Sequence, residues 1–82
     1  LKKEDDMVLR SIAAEILPDI VNQEIRHSGI REKTEGLVVG IERDGNRILN
    51  PASSVIILQN DVLWIVGSKH CIRDLLKENE NL

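Results

Sequence analysis

Two distinct hydrophobic rhythms run along this chain. In the C-terminal half the period is two. Leu37, Val39 and Ile41 alternate with Val38, Gly40 and Glu42 over Leu37–Arg43, which predicts a strand. Asp44-Gly45 follows, a pair suited to a two-residue hairpin turn with positive φ at both positions. Arg47–Asn50 returns antiparallel, and Pro51 ends the pairing because it has no N–H to donate. Val55–Leu58 is a short apolar run, and Gln59-Asn60-Asp61 makes a turn. Val62–Gly67 is a further strand, apolar on both faces, so both faces are expected to be covered, one by helices and the other by a partner. The rhythm then changes to a helical one: Ser68 caps a helix from Lys69 to about Glu78, with Ile72, Leu75 and Leu76 as its buried stripe.

The N-terminal half is less decided. Leu1–Asp6 is charged, and a linker or frayed end is expected over residues 1–9, with the domain over 10–80. Arg10–Leu17 fits a strand through Ile12, Ala14 and Ile16, and a helix through Leu9, Ile12, Ala13 and Ile16. Pro18 stops either. Asp19–Ser28 reads as a short helix capped by Asp19 or Asn22, with Val21 and Ile25 on one face and Gly29 at its end. Ile30–Gly36 then reads as a polar turn. The order is β-α-β-β-β-α, an α+β fold in which a small, mainly antiparallel sheet packs with two helices.

Composition narrows the function. With 82 residues the chain is one small domain, for which self-association is a natural way to gain burial. A hydrophobic content of 41% with 30% charged residues is globular. The net charge of -3 and a single aromatic residue, Trp64, offer neither a basic footprint nor a stacking platform, so no nucleic-acid partner is expected. No run approaches the roughly 18 apolar residues of a membrane span. The chain opens on Leu rather than Met, and a piece of something longer is expected. Cys71 is alone, which fits a reducing compartment.

Catalytic constellations are missing from the pattern. His70 and Cys71 are neighbours, which a helix points about 100° apart, and no metal-ligand spacing completes a site with them or with His27. Ser53-Ser54 lacks a nucleophile context, and the carboxylate pairs lie in charged surface stretches. The glycines follow no phosphate-loop spacing; Gly40, mid-strand, is instead a place for another backbone to approach. No enzyme and no metal site are expected. The positive cluster of Arg26, Arg31 and Lys33 is the candidate chemistry. Arg31, beside Gly29 and Ile30, offers a guanidinium fork to a phosphate or carboxylate; the alternative is pairing with Glu32 or Glu35.

The stretch SGIREKTEGLVVGIERDGNRILNP, followed by NDVLWIVGSKHCIRDLL, resembles the TrkA-C family, the C-terminal domain of regulators of potassium conductance. The matching parts are Ile30-Arg31, Gly36 through Gly45, Asn50-Pro51, Asp61 through Gly67 and the helix from Lys69. Asn60 stands where the family pattern has glycine. The resemblance implies that the first segment is a strand. It implies a homodimeric, non-enzymatic module on the cytoplasmic side of the bacterial inner membrane. Its partner would be a membrane transporter domain of the same or an associated chain, with wording most like that of cation/proton antiporters. It implies a small ligand such as cyclic di-AMP at Ile30 and Arg31, the arginine meeting a phosphate. Val38 and Trp64 are candidates for the dimer surface. Glu32 and Glu35 add negative charge that opposes an anionic ligand.

Overall fold

The computed structural model describes residues 6–80. Four strands, β1 (Met7–Ala13), β2 (Leu37–Arg43), β3 (Asn46–Leu49) and β4 (Val62–Ser68), form one antiparallel sheet in the order β1-β4-β2-β3. Two α-helices, α1 (Ile30–Thr34) and α2 (Lys69–Glu78), cover one face together with three short 3-10 turns. The element order is the expected β-α-β-β-β-α. Alternation sorts β4 cleanly: Leu63, Ile65 and Gly67 face the core, while Val62, Trp64 and Val66 stand half-buried on the outer face. Ile20, Ile30, Ile41, Ile57 and Ile72 complete the core from the other elements. The hairpin turn has the expected geometry, with Asp44 at φ 51° and Gly45 at φ 77°. Ser68 caps α2 by accepting a hydrogen bond from the Cys71 N–H at 3.1 Å.

Four expectations need correcting. The first strand begins at Met7 and ends at Ala13, so the linker expected over 1–9 gives way to pairing from Met7 onward; residues 1–5 lie outside the described residues. Asp19–Ser28 is no α-helix. Its backbone groups are taken by a distant segment: Asn22 N–H donates to Ile57 O at 2.7 Å, Ile25 N–H to Val55 O at 3.0 Å and Arg26 N–H to Ser53 O at 2.9 Å. Only 3-10 turns at Pro18–Ile20 and Ile25–His27 remain. The α-helix instead occupies Ile30–Thr34, and Gly29, left-handed at φ 77°, begins it rather than ending an earlier one. Finally, β2 carries a bulge between Val38 and Gly40. Alternation therefore breaks, and Val38 and Ile41 both face the core although they were placed on opposite faces.

The close backbone approach falls at Gly36 and Gly67 rather than at Gly40. A Cβ on Gly67 would sit 2.6 Å from the Thr34 carbonyl oxygen, and one on Gly36 would overlap the Val66 carbonyl oxygen. At Gly40 the nearest neighbour of such a Cβ is at 3.6 Å, an ordinary contact. The end of α1 thus rests directly on the backbone of β4. Gly36→Ala is expected to lower stability by about 2 kcal/mol or more, because the obstacle is backbone that cannot rotate away. Gly40→Ala should stay within about 1 kcal/mol of wild type. Urea denaturation of both decides it: equal losses would show that α1 is not seated this way.

At the opposite end of the sheet Asp61 is 1% exposed. Arg43 grips it with two hydrogen bonds, Nε to Oδ1 at 2.8 Å and Nη2 to Oδ2 at 2.7 Å. The same Nη2 donates to Ile56 O, and Leu58 N–H donates to Asp61 Oδ2, both at 2.8 Å. Burial pushes the Asp61 carboxyl up, but the Arg43 hydrogen bond, the Leu58 N–H and the Arg43 charge outweigh it and hold it below the ordinary value. A depressed carboxyl means the unfolded chain binds the proton more readily, so this stability is present above pH ~4 and is lost as pH falls through the folded value. Asp61→Asn is expected to lose about 3 kcal/mol at neutral pH. It should also lose less than wild type on further acidification. Denaturation curves from neutral pH down to about pH 3 test this. Parallel profiles for the two proteins would remove Asp61 as the acid-sensitive group.

Candidate functional site

The candidate arginine is placed by a short, heavily tied turn. Ser28 Oγ donates to Ile25 O at 2.6 Å and accepts from the Ile30 N–H at 3.2 Å. Thr34 Oγ1 donates back to Ile30 O at 2.7 Å, closing the helix. Ile30 points inward, 2% exposed, and Arg31, the next residue round, is exposed. The pairing of Arg31 with Glu32 or Glu35 is not formed: among the described residues no hydrogen bond or ion pair engages it. Glu35 takes a left-handed φ of 54°, and its carboxylate accepts from the Cys71 thiol at 3.6 Å. Arg26 is already matched, with Nε and Nη2 both 2.8 Å from Glu24 Oε1.

Arg31 stands at a cleft of about 320 Å³ between α1, the start of β2 and the Asn50–Ser53 segment. Ile30, Leu37, Val38 and Pro51 make its apolar wall, and Asn50 and Ser53 supply neutral polar groups. Its charged members are Arg26, Arg31 and Glu32. With Arg26 neutralised by Glu24, Arg31 is the unmatched cation and Glu32 the opposing anion. Such a lining suits a ligand with a flat or apolar body and an anionic group. Lys33 lies elsewhere. It lines a 250 Å³ cleft on the other flank of α1 with Asp19 and Glu78, where carboxylates outnumber it. The positive cluster read from the sequence is therefore divided by α1, with Arg26 and Arg31 on one flank and Lys33 on the other.

Val38 and Trp64 are not on one surface. Val38 is 6% exposed and belongs to the core and the cleft wall, because the bulge turns it inward. Trp64 lies on the outer face of the sheet, opposite Ser11 and Gly40. With Leu9, Val39, Arg47 and Leu49 it lines a shallow depression of about 280 Å³. Leu9, Leu37 and Leu49 are 51%, 52% and 73% exposed there, a large apolar display for so small a domain. Leu37 borders the cleft as well, so the two surfaces are continuous. His27 is held near Glu24 at 3.9 Å and His70 near Asp74 at 3.3 Å, both well exposed. The sequence reading passed over Asn50, Pro51 and Leu37 as cleft residues. The Asn50-Pro51 pair was visible as a strand stop, and its left-handed Asn50, at φ 49°, is what turns the chain into the cleft wall.

The TrkA-C domain profile matches residues 5–79. The chain belongs to the TrkA-C domain family. Domains of this family regulate rather than catalyse. Solved structures share the fold. The C-terminal RCK domain dimer of S. agalactiae BusR, in complex with c-di-AMP, matches at TM-score 0.70 and 19% identity, over 85% of this chain and 96% of that one. The RCK C domain of the potassium transport protein KtrA, in complex with cyclic diadenosine monophosphate, matches at TM-score 0.67 and 19% identity, over 92% and 84%. S. agalactiae BusR bound to its busA promoter DNA matches at TM-score 0.71 and 20% identity, over 96% of this TrkA-C domain but 39% of that chain. No curated protein matches the sequence.

Proposed function

We propose that this TrkA-C domain is the cytoplasmic, ligand-sensing regulatory domain of a bacterial monovalent cation transporter, and that it works as a homodimer. The observation that carries the reading is the unmatched Arg31 at the mouth of an apolar-walled cleft. Cyclic di-AMP is the proposed ligand, since two neighbours of the same fold hold it. A base would lie against Ile30 and Pro51 while a phosphate meets Arg31. The outer face around Trp64 is the proposed dimer surface; Val38 contributes to the cleft instead. Among possible hosts we favour a cation/proton antiporter, for the wording SGIRE, GLVVGIER and WIVG. Nucleic acid is left out of the reading because of the acidic net charge of -3. A ligand that favours one dimer geometry over another shifts that geometry, and the attached transporter feels the shift.

Calorimetry with cyclic di-AMP tests the site. Arg31→Ala is expected to weaken binding by about tenfold or more, the worth of a charged hydrogen bond to phosphate. Glu32→Gln should strengthen it by a few-fold, because an opposing charge is removed. No heat with an intact dimer would favour the alternative, a purely structural dimerisation module, for which Glu32 in the cleft already speaks.

Trp64, the one tryptophan, reports on the proposed dimer surface. Its emission should move to shorter wavelength as wild-type protein is concentrated, with sedimentation showing dimers. Leu49→Glu, at a position 73% exposed, should fold normally, stay monomeric and show no such movement. A clean wild-type monomer at high concentration would overturn the dimer.

A further inference from the structure

A third surface belongs neither to the cleft nor to the outer face. Among the described residues β1 is an edge of the sheet with no strand beyond it, and its Arg10 reaches the flank of α2. Between them lies a groove of about 300 Å³, floored by Ile72 and Leu76 and rimmed by Arg10, Lys69, Arg73 and Lys77. Four of the eleven lysines and arginines converge here in a chain of net charge -3. Glu80 is the carboxylate on the lining. Among the described residues none of the four cations is ion-paired to a carboxylate. Arg10 Nη1 donates to Leu9 O at 3.3 Å, and Arg73 Nη2 meets His70 Nδ1 at 3.1 Å. Lys69, Arg73 and Lys77 are spaced i, i+4, i+8, a stripe about 12 Å long on which like charges repel.

We propose that this groove receives an extended acidic peptide, added as a further strand to the free edge of β1. A sheet edge leaves backbone donors and acceptors that an incoming strand satisfies. Alternation then dictates the side chains of the guest. Arg10 faces the α2 side, so guest residues on that side are acidic and meet Arg10, Arg73 and Lys77. Met7 and Leu9, 77% and 51% exposed, face the other side, so guest residues there are apolar. The fitting sequence alternates acidic and apolar residues. A second copy of β1 fits poorly: Arg10 is the middle residue of Met7–Ala13, and symmetric antiparallel pairing would set two Arg10 side chains against each other.

The test uses the 82-residue chain and a labelled eight-residue peptide of alternating glutamate and valine, followed by fluorescence anisotropy at low salt. The alternating peptide should bind, and its binding should slow amide exchange in β1. A peptide of the same composition with its glutamates in one block should bind at least about tenfold more weakly, since it keeps the charge and loses the alternation. The double variant Arg73→Glu with Lys77→Glu should also lose at least about tenfold, while its cyclic di-AMP heats stay as in wild type. The proposal fails if the alternating peptide does not bind, if the block peptide binds equally well, or if β1 gains no protection. It fails too if the charge reversals have no effect, or if phosphatidylglycerol vesicles or single-stranded DNA displace the peptide by binding the groove more tightly.

Discussion

The contact of α1 with the bare backbone of β4 is the constraint on which the site depends. A helix of five residues has no stability of its own. It persists because Thr34 and Gly36 lie where only Gly67 and the Val66 carbonyl can oppose them, and because Ser28 ties its start to Ile25. Arg31 therefore inherits its position from the sheet. The inheritance runs both ways. Val66 meets the α1 end through its carbonyl, and its side chain stands on the outer face between Leu9 and Leu37. A load placed on Arg31 would pass through the end of α1 and the Val66 carbonyl to the strand that carries the outer apolar surface.

The other end of the sheet is fixed by a different device. Buried ion pairs add little net stability over an apolar replacement, because both charges must be desolvated. What the Arg43–Asp61 pair supplies is a place for the chain between β3 and β4. Arg43 bonds the Ile56 carbonyl as well as Asp61, and the Asp61 carbonyl receives the Ala14 N–H at 2.9 Å. With that segment held, residues 53–57 run alongside 22–26 and exchange backbone hydrogen bonds with them. Asn50–Ser53, the far wall of the cleft, thus stands at a set distance from Arg31.

The history of these elements explains what the sequence could disclose. The hairpin and α2 were legible because their determinants are local: Asp44-Gly45 sets its own turn, and Ser68 caps its own helix. Asp19–Ser28 was misread as helical because its real partners lie some thirty residues away, at Ser53, Val55 and Ile57, and local periodicity carries no trace of them. Val38 was misplaced because a bulge adds one residue to β2 without altering its apolar composition. The position of Arg31 just after a break in the chain was legible through Gly29, which takes a left-handed conformation before Ile30. Arg43 and Asp61 both fell inside the family pattern, yet a charge pair eighteen positions apart shows itself only in three dimensions.

A domain of this size has few ways to respond to a ligand. Its core is a single layer of aliphatic side chains between one sheet face and two short helices. Small, close-packed interiors yield at their interfaces before they yield inside. Ile30 links the two: it is 2% exposed in the core and yet walls the cleft, so a ligand there would touch a residue that cannot move without disturbing the buried cluster it belongs to. The compliant degrees of freedom are outside, at Leu9, Leu37 and Leu49 on the open face. In the proposed dimer, regulation would be a matter of how two rigid bodies meet, and the surface running from Arg31 through Leu37 to Trp64 is where binding energy would be converted into a change of their relative orientation.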